Sequence, residues 1–527
     1  MTLRANTDAP ARIGFFLFLL VTVTACGGLV MVVEVLGSRL IGPFFGVSLY
    51  VWTALISVTL IALALGYGLG GLAADRWPGP GLLYGVILVA GLFVLAVPLL
   101  RTPILALSIP MGLRGGAFVS ALILFGPPLA LMGAVSPIAV RLAVRESQKL
   151  GRMVGGLYAL STLGSVAGTV ATGFFLIGTL GVSGIFTLTG LILIGLAGLY
   201  FLLFRRFWPA LALGLIPLLP LSPAPVNSGI MPDGTRIQRL AHAESHYGQV
   251  TVLEFSHGAQ RTRELLIDGQ IQGGIDPANG QSIYEYAYAL QHLPVALHPE
   301  AKSMLVIGLG AGIVPAWHAK RGLRVDIVDI DANVVRLAGE HFGFATTGRV
   351  FVEDARAYLQ QTAERYDLIL LDVFNGDTTP GHVLSREALA LARSRLNPGG
   401  MLMVNLIGSL VDRPYGAASV SRTMQTVFER VGLYPVFDPQ GADASGNIIM
   451  VAYDGPERPV PADLLANAPI HPMADSVRRV FGRRFVFPAG QPADILTDDF
   501  NPIDVRDAWL KERIRRAILE GIDWRVL

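Results

Sequence analysis

The chain has 527 residues, 52% of them hydrophobic and 15% charged, with a mean hydropathy of +0.54; this excludes a disordered chain and argues against a wholly water-soluble one. Residues 1–221 hold 12 Lys or Arg against 4 Asp or Glu (Asp8, Glu34, Asp75, Glu146), and the remaining 306 hold 29 against 35. The overall +2 is therefore a cancellation, and because the basic residues of the first part sit mostly at the ends of apolar runs, no nucleic-acid partner is indicated. The lone Cys26 excludes an internal disulfide framework and a zinc site built from several cysteines, and no metal is expected.

Residues 1–221 read as a multipass α-helical membrane domain. One crossing needs roughly 20 mostly apolar residues in a helix, since lipid offers backbone groups no partner. Spans are expected near 13–36, 47–74, 81–100, 115–140, 153–177 and 184–204. A seventh apolar stretch, 207–221, is short and carries Pro209, Pro217 and Pro220, which suits a tilted span or an interfacial segment. The richest basic loop is Arg141, Arg145, Lys149, Arg152, and placing it inside also puts the N-terminus, Arg76, Arg205 and Arg206 inside. The expectation is an inner-membrane protein with its soluble domain in the cytoplasm, 207–221 not fully crossing.

Three features of this part carry rival readings. Val23-Thr-Ala-Cys26 resembles a lipoprotein cleavage site, but the apolar run continues to Val33, so Cys26 reads instead as a small buried side chain. Glu34 reads as half of a salt bridge near the membrane boundary or, functionally, as part of a proton or cation relay. Gly164 and Gly168 form a G-x-x-x-G; helix packing within one chain is its first use and a homodimer contact its second.

After a linker at 222–240, residues 241–300 read as a β-hairpin subdomain and 301–527 as an α/β doubly wound, Rossmann-like domain. Val250–Phe255 and Glu264–Asp268 suit a hairpin, and Asp268-Gly269 the next turn. Strands expected at 303–307, 324–328, 349–352, 368–371 and 401–404 alternate with helical stretches, the mark of a parallel sheet.

The chemistry falls at the carboxyl ends of those strands, where open α/β sheets bind ligands. Gly308, Gly310 and Gly312 form a G-x-G-x-G turn, a weak signal alone. Asp329 ends the next strand some 20 residues on, the place from which a carboxylate bonds a ribose diol, with Asp331 its rival; Asp354 suits an exocyclic adenine amine; Asp372 ends a fourth strand. Asp331 and Asp354 also suit helix N-caps. Three such carboxylates in one crevice would repel a phosphate chain and favour a cationic or neutral adenosine ligand such as a sulfonium.

With these residues in hand, 245–410 resembles the spermidine synthase family, aminopropyltransferases on a methyltransferase-type fold. The matching elements are Ser245–Gln249, Leu266–Gln272, Tyr284-Glu285, Gly308–Gly312, Val328–Asp331, Glu353–Arg356 and Tyr366–Asp372. The whole chain, with Glu34–Gly46, Phe125–Pro128, Ser136-Pro137 and Leu496–Ile503, resembles the family's membrane-fused branch. The resemblance implies that an amine displaces methylthioadenosine from decarboxylated S-adenosylmethionine, with Asp372 as proton acceptor. It further implies that Gln249 and Asp329 hold the methylthioadenosine part, Asp354 and Ala355 the adenine, and that Tyr284 lines the amine channel. The sequence departs from the pattern in several places. Ala311 stands where the family's glycine loop has aspartate, Glu285 where a histidine often follows the tyrosine, and Asp377, then Pro380, where the second aspartate is displaced. The alternatives are a transferase of intact S-adenosylmethionine, moving a methyl or aminocarboxypropyl group, and a transporter or sensor whose soluble domain only binds an adenosyl or polyamine ligand.

Overall fold

The computed structural model describes residues 9–46, 49–143, 150–218, 227–374, 379–441 and 444–521, and the chain divides into units Met1–Pro225 and Val226–Leu527. In the first unit the apolar runs fold as helices, the local structure that satisfies every backbone group within one segment. These are α1 (Ala9–Phe45), α2 (Leu49–Arg76), α3 (Pro80–Ser108), α4 (Gly112–Ala143), α5 (Leu150–Ala171) and α6 (Ile177–Leu203). Four apolar helical stretches are long enough to cross a membrane: Ile13–Phe45, Tyr50–Arg76, Pro80–Ala143 and Leu150–Leu203. The last two run to 64 and 54 residues, more than twice what one crossing needs, and they break at the 3-10 turn Ile109–Met111 and at Gly181, whose φ is +68°. Six helical segments thus stand where six spans are expected. Residues Trp208–Leu218 form a 3-10 helix of 11 residues, about 22 Å at 2.0 Å per residue and short of the roughly 30 Å hydrocarbon core.

Small residues set how closely these helices approach. A Cβ on Gly164 would lie 1.9 Å from the Thr24 carbonyl oxygen and one on Gly168 2.4 Å from that of Gly28, so the G-x-x-x-G packs α5 onto α1 of the same chain. The same device joins α2 to α4, where a Cβ on Gly66 would meet the Ala130 carbonyl oxygen at 2.1 Å and one on Gly70 the Ala134 Cα at 2.6 Å. Asp75 and Arg141 approach to 3.5 Å, which brings the ends of α2 and α4 to one side, as the basic-loop reading requires. Cys26 is buried, as read from the sequence, and Glu34 is half-buried within α1.

The second unit begins with strands where a linker was expected. Within 222–240 the structure describes 227–240, and β1 (Ser228–Ile230) and the start of β2 (Arg236–Glu244) pair there with a register of Ser228 opposite Gln238. Prolines 223 and 225 signal a break in the chain, but pairing with β2 captures the residues just after it. With β3 (Gln249–His257), β4 (Gln260–Ile267) and β5 (Gln270–Ile275) they make a five-stranded antiparallel sheet in sequential order, larger than the expected hairpin.

Helix α7 (Glu285–Leu297) leads to a seven-stranded sheet. Its parallel part is β6 (Ser303–Ile307), β7 (Arg324–Asp329), β8 (Val350–Val352), β9 (Tyr366–Leu371) and β10 (Leu396–Ser409); β11 (Arg430–Pro435) and β12 (Ser445–Tyr453) extend it antiparallel. The order β11-β12-β10-β9-β6-β7-β8 reverses direction between β6 and β9, the switch point at which such sheets open a crevice. Strand residues alternate between two cores: Met304, Val306, Ile327 and Leu370 on one face, Leu305, Ile307, Val328 and Leu371 on the other, the pattern of a sheet covered on both sides.

The helix-packing analysis yields a stability test. Gly164→Leu should lower the thermal midpoint of the detergent-solubilised full chain by several degrees, whereas Gly156→Ala, whose Cβ meets nothing within 4 Å, should leave it nearly unchanged; equal midpoints for both variants would refute the packing role.

Candidate active site

Each strand tip contributes to one cleft. Its lining includes Gly308, Leu309 and Gly310 after β6, Asp329 and Asp331 after β7, Glu353, Asp354 and Ala355 after β8, Asp372 after β9, and Pro380, His382 and Val383 on the following loop; Tyr247, Ile267 and Gln272 close it from the five-stranded sheet. The volume, counted with the open mouth, is about 940 Å³, in the range of small-molecule sites. Among the described lining residues there are five carboxylates and neither Lys nor Arg. The cleft is built for positive charge.

Backbone crowding fixes the glycine turn. At Gly308, φ +89°, a Cβ would lie 2.2 Å from the Asp372 carbonyl oxygen, and at Gly310, φ +53°, 2.8 Å from that of Gln272; these glycines let neighbouring protein backbone, rather than a ligand, come close. Gly312 faces the Phe344 ring and is not part of the lining.

The carboxylates are held differently. The two oxygens of Asp329 accept from the Leu309 N–H (2.8 Å) and the Asp331 N–H (2.9 Å), yet burial outweighs these bonds and pushes its pKa up to about 6. Asp331 caps helix α9 (Ala332–Phe342) by accepting from the Asn333 N–H, and its other oxygen takes the Ser245 hydroxyl at 2.5 Å. That bond pins the β2–β3 turn, with its half-exposed Tyr247, over the cleft. Asp354 caps α10 (Ala355–Gln361) through the Ala357 N–H at 3.0 Å. For Asp331 and Asp354, then, capping and lining the cleft are one placement. Asp372 is half-buried in the cleft wall; desolvation there pushes its pKa up to about 6 although the Asn405 amide donates to its Oδ1 at 2.8 Å.

The 380–385 side of the cleft is buckled from far along the chain. Asp498 bonds Arg356 through both oxygens at 2.8 Å and takes the Ser385 hydroxyl at 2.6 Å, while Asn501 donates to the Gly381 carbonyl at 2.6 Å. The Leu496–Ile503 segment therefore holds the 380–385 loop in place and pairs Arg356, the residue after Ala355 of the lining, with a carboxylate.

Other predicted positions lie elsewhere. Gln249 is buried at the start of β3, its N–H given to Asp268, and is not among the lining residues. Tyr284 does not line the cleft either; its hydroxyl donates to the buried Glu264 at 2.9 Å, whose pKa burial raises to about 7. Glu285 accepts from Ser476 at 2.7 Å and so does not replace the carboxylate missing at Ala311. The helix start turns Tyr286 inward instead: its hydroxyl donates to the Gln272 carbonyl at 3.2 Å, and burial, with Asp372 nearby, raises its pKa. Ala311 is buried, its Cβ 3.1 Å from where a Cβ on Gly273 would stand. Asp377 lies outside the described residues.

Sequence reasoning passed over Tyr247, Gln272, Glu353, His382 and Asn405 as site residues. Tyr247, Gln272 and Glu353 stand inside segments that carry the resemblance. Asn405 was detectable as a lone polar residue in an apolar strand, Met401–Leu406.

The fold and site define a doubly wound, Rossmann-like α/β domain of methyltransferase type with an acidic cleft at its switch point. The spermine/spermidine synthase domain matches residues 284–452. The chain is 37% identical over 115 residues to the polyamine aminopropyltransferase of Vibrio vulnificus (20% of this chain, 38% of the relative). It is 31% identical over 202 residues to polyamine aminopropyltransferase 2 of Pseudomonas aeruginosa (36% and 55%), and 27% over 230 to the N-terminal histidine N-methyltransferase of Emericella nidulans (40% and 40%). The chain thus spans 38 to 55% of the length of these relatives, and the similarity lies in its α/β unit.

A raised carboxylate pKa has a sign for stability. With a folded value near 6 against 3.8, ionised Asp372 destabilises the fold, so its contribution worsens as pH rises from about 4 to 6. Asp372→Asn should therefore stabilise the full chain at pH 7.5, by at most about 3 kcal/mol, and by little at pH 4; denaturant unfolding at the two pH values reads this, and a destabilised variant at pH 7.5 contradicts it.

Proposed function

We propose that this protein transfers an aminopropyl group from decarboxylated S-adenosylmethionine to a small-molecule amine, releasing methylthioadenosine. The observation that carries this is one cleft at the switch point lined by Asp329, Asp331, Glu353, Asp354 and Asp372, with no Lys or Arg among its described lining residues. The co-substrate is a cation at its sulfonium and its terminal ammonium, and its adenosine needs carboxylates for the ribose diol and adenine amine. Asp329 with Asp331 would hold the ribose and Asp354, Ala355 and Pro380 the adenine end.

The amine nitrogen attacks the carbon bonded to sulfur. A C–N bond forms, the C–S bond breaks with its electron pair left on sulfur as a neutral thioether, and the nitrogen gives up a proton. Asp372 is the acceptor: an apolar surrounding that lifts its pKa toward 6 makes it a better base than a solvated aspartate while leaving it ionised at pH 7. The carboxylate also places the nitrogen.

A transferase of intact S-adenosylmethionine is the second reading, supported by Ala311 and by the similarity to a histidine methyltransferase. Against it, five carboxylates would repel the methionine carboxylate. The membrane fusion is part of the proposal: the first unit anchors the chain in the inner membrane with the transferase in the cytoplasm, where sulfonium compounds are made, in contact with the bilayer.

Calorimetry of the full chain should show decarboxylated S-adenosylmethionine binding more tightly than the intact form, and more weakly below about pH 6 as Asp329 and Asp372 protonate; preference for the intact form refutes the first reading. Asp372→Asn should lower kcat by at least about 100-fold while methylthioadenosine binding changes only a few-fold; unchanged turnover removes Asp372 from its role. A cysteine introduced at Asn227 should stay unlabelled by an impermeant maleimide in intact cells and react after lysis.

A further inference from the structure

We propose that Asn405 and Asn447 are positioning residues that fix which oxygen of Asp372 faces the reacting amine. This rests on the aminopropyl-transfer reading for its purpose, though not for its geometry. Asn405, fully buried in β10, donates its Nδ2 to Asp372 Oδ1 at 2.8 Å, and Asn447 in β12 donates its Nδ2 to Asn405 Oδ1 at 2.9 Å. The Thr379 hydroxyl lies 3.4 Å from the Asn405 carbonyl, so the loop that carries Pro380 into the cleft closes on the same residue.

The direction of this chain of amides is dictated by its end. An ionised carboxylate only accepts, so Asn405 must present its NH2 group to Asp372. Its amide oxygen then faces Asn447, which must in turn donate. Were Asn405 flipped, its oxygen would face the carboxylate at hydrogen-bond distance, a repulsion inside a dry site. Asn447 adds to the cost of the flip, because a flipped Asn405 would meet a second donor there unless both amides turned together. With Oδ1 occupied, Oδ2 is left for the ligand, and one charge-assisted bond partly offsets the burial of the charge.

The pair β10–β12 makes this geometry stiff. Ile407 stands opposite Asn447 and Asn405 opposite Ile449 in an uninterrupted antiparallel ladder from Met401 to Ser409, so the two amides meet diagonally across neighbouring strands. Neither asparagine lines the cleft; they act through Asp372.

The test uses the full-length chain in detergent. The protonated-carboxyl band of Asp372, isolated by subtracting the infrared spectrum of Asp372→Asn, is titrated against pH, and should have its midpoint near 6 in the wild-type chain. Asn405→Leu should raise that midpoint by about one to two pH units, the worth of a lost hydrogen bond to a charged group. Asn447→Asp, equal in size but unable to donate, should turn Asn405 round and raise the midpoint more than Asn447→Leu does. The acid limb of kcat should move with the midpoint in each variant, with KM for the adenosyl substrate little changed. A midpoint that stays put in both Asn447 variants overturns the proposal. Because the infrared titration needs no turnover, failure of the transferase reading would show separately, as absence of aminopropyl transfer by the wild-type chain.

Discussion

The site depends on keeping ionised carboxylates in a place that disfavours them. Asp329 and Asp372 are buried deeply enough for their pKa values to approach 6, and each remains a usable charge at neutral pH because a donor is fixed against it: two backbone N–H groups for Asp329, the Asn405 amide for Asp372. The β6–β9 switch point supplies the crevice, the glycine turn admits the Asp372 and Gln272 backbone, and the neighbouring Arg356 is drawn off by Asp498. Five carboxylates with no Lys or Arg among the described lining residues favour a cation in the cleft, and the sulfonium and ammonium groups of the proposed substrates fit that preference.

The part of the cleft proposed for the amine differs from the part proposed for the adenosyl group. Where the resemblance leads one to expect a carboxylate, Ala311 is packed against Gly273, and Tyr286 fills the wall beside Asp372. Glu264 and Tyr284 form their own buried pair rather than lining the cleft. In the proposed reaction, recognition of the acceptor would therefore fall on few groups: Asp372 itself, Gln272 and the residues around the mouth.

In the helical unit a different economy rules. Apolar side chains give no preference for protein over lipid, so close backbone approach at Gly27, Gly28, Gly164 and Gly168, and at Gly66 and Gly70, is what joins the helices. The sequence showed the first of these seams as a G-x-x-x-G. The second is a G-x-x-x-G as well, Gly66 to Gly70, facing Ala130 and Ala134, which are unremarkable by themselves.

The amino-acid order alone determined the two-part organisation, the six apolar segments, the parallel strands and the acids at their tips, because each is a local property: hydropathy over 20 residues, a short apolar run, a carboxylate ending it. Folding decided what no local pattern encodes. Gln249 and Tyr284 stand in the matching motifs yet face away from the cleft, since strand register and the start of α7 choose the direction of each side chain. Tyr247 and His382 line the cleft on segments held by the Ser245–Asp331 and Ser385–Asp498 bonds, and Asn405 holds Asp372 while Asn447 bonds it from the neighbouring strand. The residues that bear charge were legible in one dimension; which of them share a space, and what holds each in place, is set by contacts between segments as much as 191 positions apart.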